Sequence, residues 1–166
     1  MRTLTEQLSA YAGYHRDRRN IALHFIGIPL IVIAVEILLS RSAFTIGPIV
    51  ATPAFILSAI VALHYLRLDL WLGLIMAVLL ALAAWFGAAV AAQARPVWLG
   101  TGIGLFVIGW AIQFVGHVYE GRKPAFLDDL AGLIVGPLFV VAEALFLLGL
   151  RDDLRSALAA RADRRP

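Results

Sequence analysis

Polar and apolar positions fall in long blocks along this chain. Five apolar runs, at about 20–40, 49–66, 70–92, 97–117 and 130–150, are separated by short polar breaks at 41–48, 67–69, Arg95 and Pro96, and 121–129. A helix needs roughly 20 apolar residues to cross hydrocarbon. The pattern predicts an all-α integral membrane bundle with four spans. The fifth apolar segment, interrupted by Gly136 and Pro137, either spans or re-enters. The two ends read differently. Residues 1–18 place Leu4, Leu8, Tyr11 and His15 on one helical face, with Thr3 and Glu6 at capping-box spacing. In the basic tail 151–166, Leu154 and Leu158 continue a face begun by Leu150. Both ends are expected as amphipathic helices on the membrane surface. A single membrane-embedded domain, 1–166, uses the whole chain.

Composition sharpens this picture. The 166 residues are 61% hydrophobic and 15% charged, with a mean hydropathy of +0.88. A soluble domain is typically about half apolar and about a quarter charged. The absence of cysteine excludes disulfides and thiolate metal sites. The net charge of +3 is spread over helix ends, with no long basic stripe interleaved with aromatics, so nucleic acid is not an expected partner. The lipid bilayer is. The small residues Ala83, Gly87 and Ala91, and likewise Gly100 and Gly104, recur every four positions and predict close helix approaches. Self-association into a homo-oligomer stays open. Glu36 lies deep in the first span and is expected to be protonated or paired.

Short breaks make consecutive spans antiparallel. The entrance of the first span and the exits of the second and fourth then share one side. That side collects all four histidines, His15, His24, His64 and His117. It also collects Arg16, Arg18, Arg19, Arg67, Arg122 and Lys123, against Arg41 and Arg95 opposite. The positive-inside tendency makes it the cytoplasmic side, of the inner membrane if the source is bacterial.

Candidate chemistry concentrates in the stretch QFVGHVYEGRKPAF, 113–126. Gln113, His117 and Glu120 share a helical face. His117 and Glu120 at i, i+3 can bind one metal from a single turn. Converging imidazoles and carboxylates suit Fe(II), Zn(II) or Mn(II). Asn20 and Gln113 suit hydrogen bonds that orient such ligands, and His64 is expected beside them in the same supporting shell.

The pieces HRDRRNIALHFIGIPL (15–30) and GWAIQFVGHVYEGRKPAF (109–126) resemble the two signature regions of the 2-hydroxy fatty acid dioxygenase family. The resemblance implies an Fe(II)-dependent membrane dioxygenase of fatty acid α-oxidation. Such an enzyme takes a long-chain 2-hydroxy fatty acid and O2 and shortens the acid by one carbon. It further implies His15, His24 and His117 as metal-binding or essential histidines. With Glu120 added from the helix spacing, the expected metal set is His15, His24, His117 and Glu120, of which His117 and Glu120 are the catalytic pair. Arg16, Arg122 and Lys123 are candidates for holding the substrate carboxylate, and Phe25, Trp110 and Tyr119 for lining the site. Two other classes compete. A b-type haem between His24 and His117 would leave His15, Asn20 and Glu120 without a task. A transport or scaffold protein would be expected to show an internal repeat, and none is visible.

Overall fold

The computed structural model describes residues 2–47, 49–121 and 131–162. Its elements run α1 (Leu4–Ala12), α2 (Arg18–Leu39), β1 (Phe44–Ile46), β2 (Ile49–Ala51), α3 (Pro53–Leu68), α4 (Leu70–Ala91), α5 (Arg95–Glu120), α6 (Gly132–Leu147) and α7 (Asp152–Ala162). The architecture is the expected all-α bundle, with one two-stranded hairpin in which Phe44 pairs with Ala51. Among the described residues, α2, α4 and α5 are long and apolar enough to cross a membrane, at 22, 22 and 26 residues. The second predicted span begins as strand β2, and its helix α3 has only 16 residues.

Helix α2 packs most extensively along α5, and α3 along α4. Hydrogen bonds tie the turns at one end: Trp98 Nε1 donates to the Ile37 carbonyl at 2.7 Å, and Arg41 to the Ala91 and Gln93 carbonyls at 3.0 and 2.7 Å. Glu36 is paired, as its burial demands: it accepts from the Ser58 hydroxyl at 2.6 Å.

Which glycines pack differs from the expectation. Nothing stands within 4 Å of a Cβ added at Gly100 or Gly104. The close approach of α5 to α2 uses Gly102, Gly109 and Gly116, one every seven residues. There an added Cβ would lie 2.6 Å from Leu38 Cδ2, 2.7 Å from Ile31 Cγ1 and 2.5 Å from Asn20 Oδ1. A seven-residue repeat keeps one side of a helix on its neighbour at a shallow crossing, so this stripe is the packed one. Gly87 does pack as predicted: a Cβ added there would lie 2.8 Å from the carbonyl carbon of Glu36.

The N-terminal helix is capped as read. Thr3 Oγ1 accepts from Glu6 N at 3.3 Å, and Glu6 Oε2 accepts from Thr3 N at 2.9 Å. Its apolar face is not left for lipid, however. Leu4, Leu8 and Tyr11 are buried in one cluster with Phe139 and Phe146 of α6 and Leu154 of α7.

Helix α6 carries on through Gly136 and Pro137 instead of breaking there. At its first turn Gly132 and Leu133 face the same cavity as Ile31 and Trp110. The Tyr65 hydroxyl holds it there, donating to the Ile134 carbonyl at 2.6 Å. The reversal comes later, at Gly149 (φ 70°) and Arg151 (φ 61°), where α7 departs at 114° to α6. A left-handed residue other than glycine costs about 1–2 kcal/mol. Two bonds from the Arg151 guanidinium to Asp69, at 3.0 and 2.9 Å, hold it in place. Asp69 sits between α3 and α4, so the residues that join α6 to α7 lie at the end of the bundle where α3 finishes. Glu143 interacts with Arg155 of α7 rather than with the histidines.

The Arg151–Asp69 pair makes α7 acid-sensitive. Arg151 holds the Asp69 carboxyl below its ordinary 3.8. An acid with a depressed folded-state pKa stabilises fully above its ordinary value and loses that contribution as pH falls through the folded value. Arg151→Ala is therefore expected to destabilise the docking of α7 by about 1–2 kcal/mol at neutral pH. The gap to wild type should begin to narrow below about pH 3.8 and close as pH falls through the lower folded-state value. Amide exchange across α7 at the two pH values measures it; a gap that persists in acid would refute the assignment.

Candidate metal centre

Three elements bring three imidazoles together. His24 lies on the second turn of α2, His117 on the last turn of α5, and His15 in the link between α1 and α2. Their candidate ligand atoms all lie within 4.8 Å of one another. The rings are 3%, 1% and 7% exposed for His15, His24 and His117.

Hydrogen bonding fixes two of the rings. His15 Nδ1 meets the Tyr11 carbonyl at 2.8 Å, and His24 Nδ1 meets the Asn20 carbonyl at 2.9 Å. A carbonyl only accepts, so each Nδ1 carries the proton and each neutral ring presents a bare Nε2. These two Nε2 atoms face each other at 3.0 Å. Two lone pairs at that distance need a proton or a cation between them. Nitrogen ligands about 2.0–2.1 Å from a shared ion and at right angles to each other would stand about 3.0 Å apart. Burial holds His15 below its ordinary 6.5, which favours the neutral, ligating form.

The surroundings are short of partners. Among the described residues, four buried side-chain atoms have no hydrogen bond: Asn20 Oδ1, Gln113 Nε2, His117 Nδ1 and Glu36 Oε2. Three of the four belong to residues around the histidines. Gln113 and His117 line a cavity of about 70 Å³ together with Tyr11, His24, Ile28 and Trp110. Buried polar atoms are normally satisfied, so this concentration of orphans marks a place prepared for a ligand.

Glu120 is placed differently from expectation. Its carboxylate accepts from Arg16 N at 2.8 Å, Asp17 N at 2.9 Å and Asn20 Nδ2 at 3.0 Å. It therefore clips the α1–α2 link to the end of α5 instead of joining the imidazoles. Backbone N–H groups ahead of a helix are strong carboxylate partners, and they outcompete the ring nitrogens for it. Asn20 links the two systems, with its amide on Glu120 and its carbonyl on His24.

His64 stands one cavity away. It lines a space of about 660 Å³ with Arg2, Gln7 and Tyr14, which adjoins the histidine cavity at Tyr11 and Gly132. The Arg16 side chain is exposed, and its backbone serves Glu120. Arg122 and Lys123 lie outside the described residues. Tyr119 is exposed under Arg19, 4.6 Å from its guanidinium carbon, whereas Trp110 does line the cavity. Tyr11 was read only as part of an apolar face. It stacks on His15 at 4.1 Å between ring centroids and fixes that ring through its carbonyl. The i, i+4 spacing of Tyr11 and His15 was the available signal.

Comparison with known proteins bears on the chain as a whole. The family described as "2-hydroxy-palmitic acid dioxygenase Mpo1-like" matches residues 1–101 and 88–148. The Saccharomyces cerevisiae protein named 2-hydroxy-palmitic acid dioxygenase MPO1 is 35% identical over 157 residues, 93% of this chain and 87% of the yeast protein. No solved structure matches. With the matched segments covering all three buried histidines and a relative aligned along nearly its whole length, the chain belongs to the Mpo1-like family.

Proposed function

We propose that this protein is a membrane dioxygenase that uses Fe(II), held by His15, His24 and His117, to shorten a long-chain 2-hydroxy fatty acid by one carbon at the expense of O2. The observation carrying it is the pair of Nε2 atoms 3.0 Å apart on rings whose Nδ1 atoms meet backbone carbonyls, in a buried cluster whose neighbours lack partners. The donor set fits iron: three neutral imidazoles and no thiolate leave further positions for oxygen ligands. When bound, the metal would supply the redox chemistry with dioxygen that breaks the C1–C2 bond.

The chain's own residues do the rest. Tyr11 and Asn20 orient two imidazoles through backbone carbonyls. Glu120 fixes the link that carries His15. The Gln113 amide, with Nε2 unpaired at the cavity, donates to the carboxylate or 2-hydroxyl of the substrate. Ile28 and Trp110 keep the cavity apolar. Its small volume favours a bare metal over haem, because a porphyrin would force α2 and α5 apart. The site faces the cytoplasm on this reading, since Arg18, Arg19 and Arg67 lie at that end and the tail adds Arg155 and Arg161.

Detergent-solubilised protein loaded with Fe(II) and given 2-hydroxypalmitate under air should consume oxygen and release the acid one carbon shorter, read by mass spectrometry. Conversion that proceeds without oxygen, or a stoichiometric Soret band in the purified protein, would overturn the proposal.

A further inference from the structure

The histidine cavity is small, at about 70 Å³. A carboxylate and a 2-hydroxyl seated there leave a long alkyl chain to run on into a neighbouring space. Two larger spaces adjoin the histidine cavity. The 660 Å³ cavity between α1, α3 and α6 carries Arg2, Gln7 and His64 on its walls. The other, of about 340 Å³, lies between α2, α4 and α6, and every residue lining it is apolar. It shares Ile28, Val32 and Pro137 with the histidine cavity. Beyond them it is walled by Met76, Leu80, Ala83, Phe86, Val140 and Val141.

We infer that this α2–α4–α6 groove binds the acyl tail of the 2-hydroxy acid, entered from the histidine cavity past Ile28, Val32 and Pro137; the inference rests on the proposed reaction. Continuity with the head site selects the occupant, since a chain whose carboxylate lies beside Gln113 has to leave by a wall of that cavity. Apolarity selects the direction. Each methylene transferred onto an apolar wall raises affinity about fourfold, whereas the other cavity would set the chain against charged and amide groups. Bilayer lipid is the competing occupant. The groove then sets chain length, and Ala83 is the smallest side chain that α4 contributes to it.

Ala83→Phe narrows the groove. In the Fe(II)-loaded protein, the ratio of kcat/KM for 2-hydroxypalmitate over 2-hydroxyoctanoate should fall about tenfold or more, as two or three methylenes lose their place. Ala10→Phe, in the α1–α3–α6 cavity, should leave the ratio alone. A reading independent of turnover uses 2-hydroxypalmitate bearing a diazirine at its far end. In wild type it should cross-link to α4 and α6, and unlabelled 2-hydroxypalmitate should compete. Cross-links on α1 and α3, a ratio shifted by Ala10→Phe instead, or groove labelling that resists competition would each overturn the inference, the last by making the groove a lipid seat. Turnover of both acids with an unchanged ratio in Ala83→Phe sinks the groove alone. Competed groove labelling without turnover of either acid sinks the dioxygenase reading and upholds the acyl site.

Discussion

His117→Ala is expected to bind no iron at concentrations that saturate wild type and to convert no 2-hydroxy acid, while keeping its helical circular dichroism. The two halves have separate causes. Loss of a ligand should reduce metal affinity by more than the roughly 10–100-fold seen when a group behind a ligand is lost. The fold survives because the ring is at the end of α5 and its Nδ1 makes no hydrogen bond, so truncation strands no partner. His24→Ala is the harsher change: that ring is 1% exposed and bonded to the Asn20 carbonyl. Iron titration and far-UV spectra on the same sample decide the matter, and full activity in His117→Ala would end the metal assignment.

The second large effect comes from a glycine that touches no substrate. Gly116→Ala puts a Cβ 2.5 Å from Asn20 Oδ1, and Asn20 is fully buried. Either the amide leaves Glu120 or α2 moves, and His24 moves with it. We expect a destabilisation of about 1–3 kcal/mol and a fall in iron affinity of roughly 10–100-fold. Gly100→Ala sits on the same helix with nothing within 4 Å. It should raise stability by about 0.5–1 kcal/mol, as replacing a helical glycine does. Thermal melts of the two variants in one detergent compare them directly; equal melting temperatures would mean that the α2–α5 crossing is not where it is described.

Block hydropathy was enough to place α2, α4 and α5, and the side on which each histidine falls put all four imidazoles at one end; the resemblance, not that side, separated His15, His24 and His117 from His64. What they could not reach depended on local competition. Glu120 has the spacing of a ligand, yet backbone amides of the α1–α2 link claim both its oxygens, and helical periodicity says nothing about a partner 104 residues away. Gly100 and Gly104 matched a four-residue motif, while the packed stripe repeats every seven; choosing between them needs the crossing angle. Likewise the run 130–150 had the hydropathy of a span. The turn that follows it is set by a positive φ at Arg151 and a bond to Asp69, neither of which leaves a mark on hydropathy. His64 fell on the correct end but on α3, which faces the next cavity.

The Glu120 clip also bears on how the protein is made. Glu120 bonds to Arg16, Asp17 and Asn20, so the last turn of α5 closes onto a segment made 100 to 104 residues earlier. Until α5 is inserted, the nascent chain holds His15 and His24 beside an unanchored link and lacks His117. Metal captured at that stage has little hold, whereas metal captured afterwards adds its binding free energy to the finished bundle. If the proposed metal is bound, biogenesis would be ordered: membrane insertion first, metallation last, with the closure of Glu120 as the step that divides them.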